Sequence, residues 1–119
     1  MSKGKGWIGV DLDGTLAHYE TWRGIDHVGE PIALMVERVR RWLDEGHEVR
    51  ILTARVSSAY EDRGAAAGHI QDWTEKHIGV RLAVTCEKDF NMVELWDDRA
   101  VTVEMNTGRA LAPSSRGLR

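Results

Sequence analysis

Two aspartates, Asp11 and Asp13, stand two residues apart where an apolar run of Trp7, Ile8 and Val10 comes to its end. Side chains alternate along a strand, so these carboxylates project to one side while Leu12 points away. Carboxylates so close repel unless a cation or a shared proton intervenes. A second acid pair, Asp97 and Asp98, closes another apolar run at Trp96. An oxygen-only cluster without Cys or His suits a hard ion such as Mg²⁺, which takes one or two carboxylates and completes its octahedron with water or phosphate oxygens. Thr53, at the end of EVRILT, offers a short hydroxyl donor, and Lys88 in CEKDF a compact positive charge. Gly14 permits a sharp turn after Asp13, and its amide, with that of Leu12, is placed to donate to an oxyanion. The inventory is that of phosphoryl transfer to a carboxylate. One aspartate attacks phosphorus, its neighbour protonates the leaving oxygen, and Mg²⁺ with Lys88 offsets the equatorial charge.

Such groups converge only if the elements beneath them share one edge. Ile32, Met35, Val36, Val39, Trp42 and Leu43 follow the spacing of an amphipathic helix, with Pro31 in its first turn and Gly46 as its stop. A strand over EVRILTAR follows. A longer helix, capped by Ser57 or Ser58 and ended by Gly79, places Ala66, Ile70, Trp73 and His77 on one face. Further strands are predicted around Leu82 to Thr85, Val93 to Trp96 and Val101 to Val103. Strands alternating with helices of this length indicate βαβ units and a parallel sheet, hence an α/β fold of three layers, Rossmann-like, with helices on both faces. Ligands of such sheets bind outside the carboxyl ends of the strands, where these acids, the hydroxyl and the ammonium all fall.

The 119 residues make a single domain, with a polar tail expected over 105–119. A net charge of −3 gives no footprint of a general nucleic-acid binder. The lone Cys86 excludes an intrachain disulfide, and no Cys or His spacing suits zinc. MSKGKGW runs into too short an apolar stretch for a signal peptide or a membrane span, so a cytoplasmic protein without membrane association is expected.

DLDGT at Asp11 to Thr15, ILT ending at Thr53, EKD containing Lys88 and WDD ending at Asp98 resemble, in order, the four motifs of the haloacid dehalogenase superfamily of phosphohydrolases. The likeness extends from about Trp7 to Val103. It implies that Asp11 is the nucleophile forming an aspartyl-phosphate and a ligand of Mg²⁺, and that Asp13 is the general acid and base with its backbone carbonyl on the metal. Thr53 would hold the transferring phosphoryl group and Lys88 would neutralise its charge. Asp98 would be the closer metal ligand of its pair, with Asp97 in support. Relatives acting on small metabolites usually carry a cap domain; here only AHYETWRGIDHVGE, about fourteen residues, follows the first motif, a loop length. A capless member with an open mouth is implied, acting on extended substrates or lidded by a neighbouring subunit in a homo-oligomer.

Arg55 suits a substrate phosphate or an acid of the protein equally. Tyr19, Trp22 and Arg23 lie in the short flap, where aromatic rings either pack or stack on a base. The substrate class is therefore a phosphorylated small molecule, a nucleotide or a phosphorylated nucleic-acid end. A receiver-type phosphoacceptor is the main competing class, and it would need a strand-end Asp between Asp13 and Thr53, which this chain lacks. A weakly catalytic nucleotide- or polynucleotide-binding protein is the other.

Overall fold

Trp7–Val10 (β1) is buried at every position, as an apolar run flanked by strands on both sides requires. In the computed structural model, which describes residues 6–112, β1 has parallel neighbours on either side. The strand Glu48–Leu52 (β2) sets Val49 beside Ile8 and Ile51 beside Val10. Met92–Trp96 (β4) lies on the other flank, and Ala83–Thr85 (β3) lies outside β2, giving the order β3-β2-β1-β4. The predicted α/β class with an all-parallel sheet is what forms.

The helix Ala33–Asp44 (α1) buries Met35, Val36 and Val39, and the chain leaves it through Gly46 at φ +90°, a conformation that costs glycine little. The second helix, Arg63–His77 (α2), starts later than the sequence suggests. Thr53 Oγ1 accepts from the Arg55 N–H and opens a 3-10 turn over Ala54–Val56, which Ser57 closes. Ser57 thus ends one turn, neither it nor Ser58 caps the helix, and Asp62 stands at the N-cap. Gly79, at φ +105°, donates to the carbonyls of Thr74 and Glu75 and stops α2 where expected.

Strand order decides where the helices go. β1, β2 and β3 step in one direction across the sheet, so right-handed crossovers lay both helices on the same side. Accordingly Ile8, Val10, Val49 and Ile51, which alternate to one face, share a single core with Met35, Val36 and Val39 of α1 and Ala66, Ile70 and Trp73 of α2. The expectation of helices on both faces is narrowed to this: among the described residues, both helices serve one face. The return from β3 to β4 must pass β2 and β1 using residues 86–91 alone. A stretch of that length reaches about 20 Å when extended, enough for three strand spacings but not for a helix. It runs over the other face, where Asp89 accepts from Trp7 Nε1 at 2.9 Å and lies 3.8 Å from Arg50 Nη1.

A fifth strand over Val101 to Val103 does not join the sheet. Val103 instead bridges Ala110, and hydrogen bonds from Glu104 N to Arg109 O and Leu111 N to Thr102 O close a small hairpin through a turn with Asn106 at φ 67°. The start of the predicted tail is therefore built into this hairpin, while 113–119, like 1–5, lie outside the described residues. Among the described residues no helix is long and apolar enough to cross a membrane.

Candidate active site

The carboxyl ends of β1 and β4 are neighbours: Asp11 N–H donates to Trp96 O at 2.9 Å, which brings the acids after each strand together. Carboxylate oxygens of Asp11, Asp97 and Asp98 lie within 4.8 Å of one another. Thr15 Oγ1 stands 3.3 Å from Asp11 Oδ2 and 3.1 Å from Asp98 Oδ1, and it accepts from the Asp98 N–H at 2.9 Å. Its single proton serves one of the two acids at a time. The Asp11 carboxyl is pushed up to about 7, first by burial, then by its hydrogen bond with Asp98, then by the charges of Asp97 and Asp98, against a smaller lowering by the Leu12 N–H. Crowded carboxylates that resist ionising together are the electrostatic condition for a cation. The donor set is all oxygen, which fits a hard divalent ion.

Gly14 makes this approach feasible. Its φ is +92°, and a Cβ there would lie 2.8–3.0 Å from the carboxylate of Asp98. The turn it forms also consumes one of the two donors expected to face an oxyanion. The Gly14 N–H goes to Ala17 O at 2.8 Å.

Asp13 is directed elsewhere. Arg55 donates to both of its oxygens, Nε to Oδ2 and Nη2 to Oδ1, each at 2.8 Å. The same guanidinium donates to His27 O at 3.0 Å and stacks 4.7 Å from the Trp22 ring centroid. Of the two roles open to Arg55, pairing with an acid is the one it takes. The flap is held at its other end by Trp73, whose Nε1 donates to Gly29 O at 3.0 Å, and by Ala17 bridging Pro31. No helix or sheet strand lies between β1 and α1.

Asp11, Asp13, Thr53, Asp97 and Asp98 all line one open cavity of about 1160 Å³. Thr53 is 3% exposed and its Oγ1 accepts from Arg55 N, which leaves the hydroxyl proton for another acceptor. Lys88 is not brought there. It is exposed, and of its segment only Cys86 reaches the cavity wall. Anchoring of Asp89 on Trp7 carries the chain toward the amino end of β1 directly after Lys88. The cations in the wall, among the described residues, are Arg55 and Arg99.

Thr15 and Arg99 received no role from the sequence. The signal for Thr15 was its place directly after Gly14, since a turn at glycine returns the next side chain toward the strand end. Tyr60 and Asp62, also in the wall, left no local signal because the turn before α2 sets their direction. No family model matches this chain, and neither a curated protein nor a solved structure was found similar to it.

Proposed function

We propose that the protein is a Mg²⁺-dependent phosphatase that hydrolyses a phosphate monoester through an aspartyl-phosphate on Asp11, as the resemblance to haloacid dehalogenase phosphohydrolases implies. The observation that carries this reading is the meeting of Asp11, Asp97 and Asp98 within 4.8 Å in the wall of a cavity that Thr53 also lines. Such a site concentrates negative charge in a half-buried wall, and a divalent cation would let its carboxylates ionise together where, without one, a raised pKa keeps Asp11 protonated.

Asp11, Asp97 and Asp98 would hold the ion, with the Asp13 carbonyl as a further oxygen. Bound there, it supplies the positive charge that phosphate oxygens and ionised carboxylates need to approach each other. An Asp11 oxygen attacks phosphorus as the bond to the ester oxygen breaks, and Asp13 gives that oxygen its proton. Water then attacks the phosphorus of the acyl phosphate, Asp13 takes the water's proton, and Asp11 leaves as a carboxylate. Thr53 donates to a phosphoryl oxygen throughout. Lys88 holds the charge-neutralising role by resemblance, while Arg55 and Arg99 hold the positions in the wall.

The test is turnover of p-nitrophenyl phosphate. Hydrolysis should need Mg²⁺, stop with EDTA and fall by more than about 10³-fold in Asp11→Asn, the scale for a lost nucleophile. Robust activity in that variant would overturn the assignment.

A further inference from the structure

The cavity holding Asp11, Asp13 and Thr53 also presents three aromatic rings, Tyr19 and Trp22 from the flap and Tyr60 from the turn before α2. They are 42%, 52% and 52% exposed, and none belongs to the buried core. Three large rings half in water around one mouth offer faces on which a flat ligand can stack. Trp22 is also held in place. The Arg55 guanidinium that lies over it at 4.7 Å is the one forked onto Asp13, so the ring stands one side chain away from the proposed acid. The wall exceeds what a phosphate and an ion fill, since cavities of about 300–1,000 Å³ take whole small molecules.

Charge limits the size of the ligand. Besides the four strand-end acids the wall carries Asp62, against the guanidiniums of Arg55 and Arg99, the first already paired with Asp13. A divalent ion still leaves the wall negative. A nucleic-acid strand needs a cationic track for its flanking phosphates, and its binding scales with the phosphates neutralised. A ligand with one phosphate and one flat ring meets no such demand.

We infer that the cavity takes nucleoside monophosphates, with the phosphate at Asp11 and the base stacked on Trp22 within reach of Tyr60. This rests on the phosphatase reading for its chemistry but not for its binding, so the two fail separately.

The experiment compares adenosine 5′-monophosphate with ribose 5-phosphate, O-phosphotyrosine and a 3′-phosphorylated oligonucleotide, with p-nitrophenyl phosphate as the control for chemistry. kcat/KM for the nucleotide should exceed that for ribose 5-phosphate by about tenfold or more, the scale of one base stacked on an aromatic ring. Trp22→Ala and, separately, Tyr60→Ala should shrink that ratio, and Trp22→Phe should restore most of it. A nucleotide no better than ribose 5-phosphate, or a preference for phosphotyrosine or the oligonucleotide, overturns the inference while p-nitrophenyl phosphate turnover keeps the phosphatase reading. If no phosphate ester is turned over, calorimetric titration of the same ligands in MgCl₂ decides: tighter binding of the nucleotide than of ribose 5-phosphate sustains the inference, and equal binding ends it.

Discussion

Arg55 grips Asp13 by two parallel N–H···O contacts of 2.8 Å, with an arginine side chain only 6% exposed. Asp13 follows β1 and Arg55 follows β2, so the pair ties two adjacent strand exits together. It also sets a condition on chemistry: Asp13 can carry a proton to a leaving oxygen only as one of these contacts loosens, and the Trp22 ring lies on the same guanidinium.

Removing the fork should be costly. Arg55→Ala leaves Asp13 without its partner and His27 O without its donor, and is expected to lower the unfolding free energy by about 2 kcal/mol in urea titration. Arg55→Lys should recover less than half of that, because an ammonium cannot span both oxygens. Equal stability of Lys and wild type would show that the bidentate geometry contributes nothing.

The acid cluster should make the metal-free protein less stable as pH rises. Asp11 has a folded value near 7, above its ordinary 3.8, so the fold favours its protonated form. Stability from this group is fully present below about pH 4 and is lost as pH climbs through 7. In EDTA the Tm should therefore fall between pH 5 and pH 8, by roughly 5 °C per kcal/mol lost, and Asp11→Asn should flatten the slope. Adding MgCl₂ at pH 8 should raise the wild-type Tm and leave Asp11→Asn nearly unmoved.

Gly14→Ala strains the backbone and pushes on the carboxylate of Asp98 at once. A loss of about 1–2 kcal/mol is expected from the left-handed conformation. Weaker Mg²⁺ response in the thermal shift should accompany it. A purely structural glycine would lower Tm and leave that response intact.

The two assignments of positive charge diverge in one comparison. Arg99 lines the cavity and Lys88 does not, so Arg99→Met is expected to raise KM for p-nitrophenyl phosphate by about tenfold, the scale of one charge-assisted contact, and Lys88→Met by less than about threefold. The reverse ranking would place Lys88 over the phosphate during turnover.

Much of the fold was legible because it is written at short range. Apolar period marked β1, β2 and α1, although the strand expected over EVRILTAR stops at Leu52, and glycines at 46 and 79 marked helix ends. The α2 start was not legible, since Ser57, which ends the turn over Ala54–Val56, accepts from Tyr60 N–H on its carbonyl and from Ala59 N–H on its hydroxyl and so spends 57–60 on a further turn. Nor was the fate of Val101 to Val103. β-branched residues favour extension, but whether they join a sheet or fold back on Ala110 depends on which edge is near.

What the sequence determined by itself was the set of strand ends and the groups on them: Asp11 and Asp13, Thr53, Asp97 and Asp98. Alternation and strand polarity suffice for that, because neither depends on which strands are neighbours. Tertiary structure alone decided which of those groups meet. Placing β4 beside β1 gathered Asp97 and Asp98 around Asp11. Placing β2 on the other flank gave Asp13 to Arg55. Placing β3 beyond β2, with only residues 86–91 to return across the sheet, drew Lys88 away from the cavity and left no length for a helix on that face. Neighbourhood in a parallel sheet is set by crossovers and their lengths, and these bring together residues that no local pattern connects.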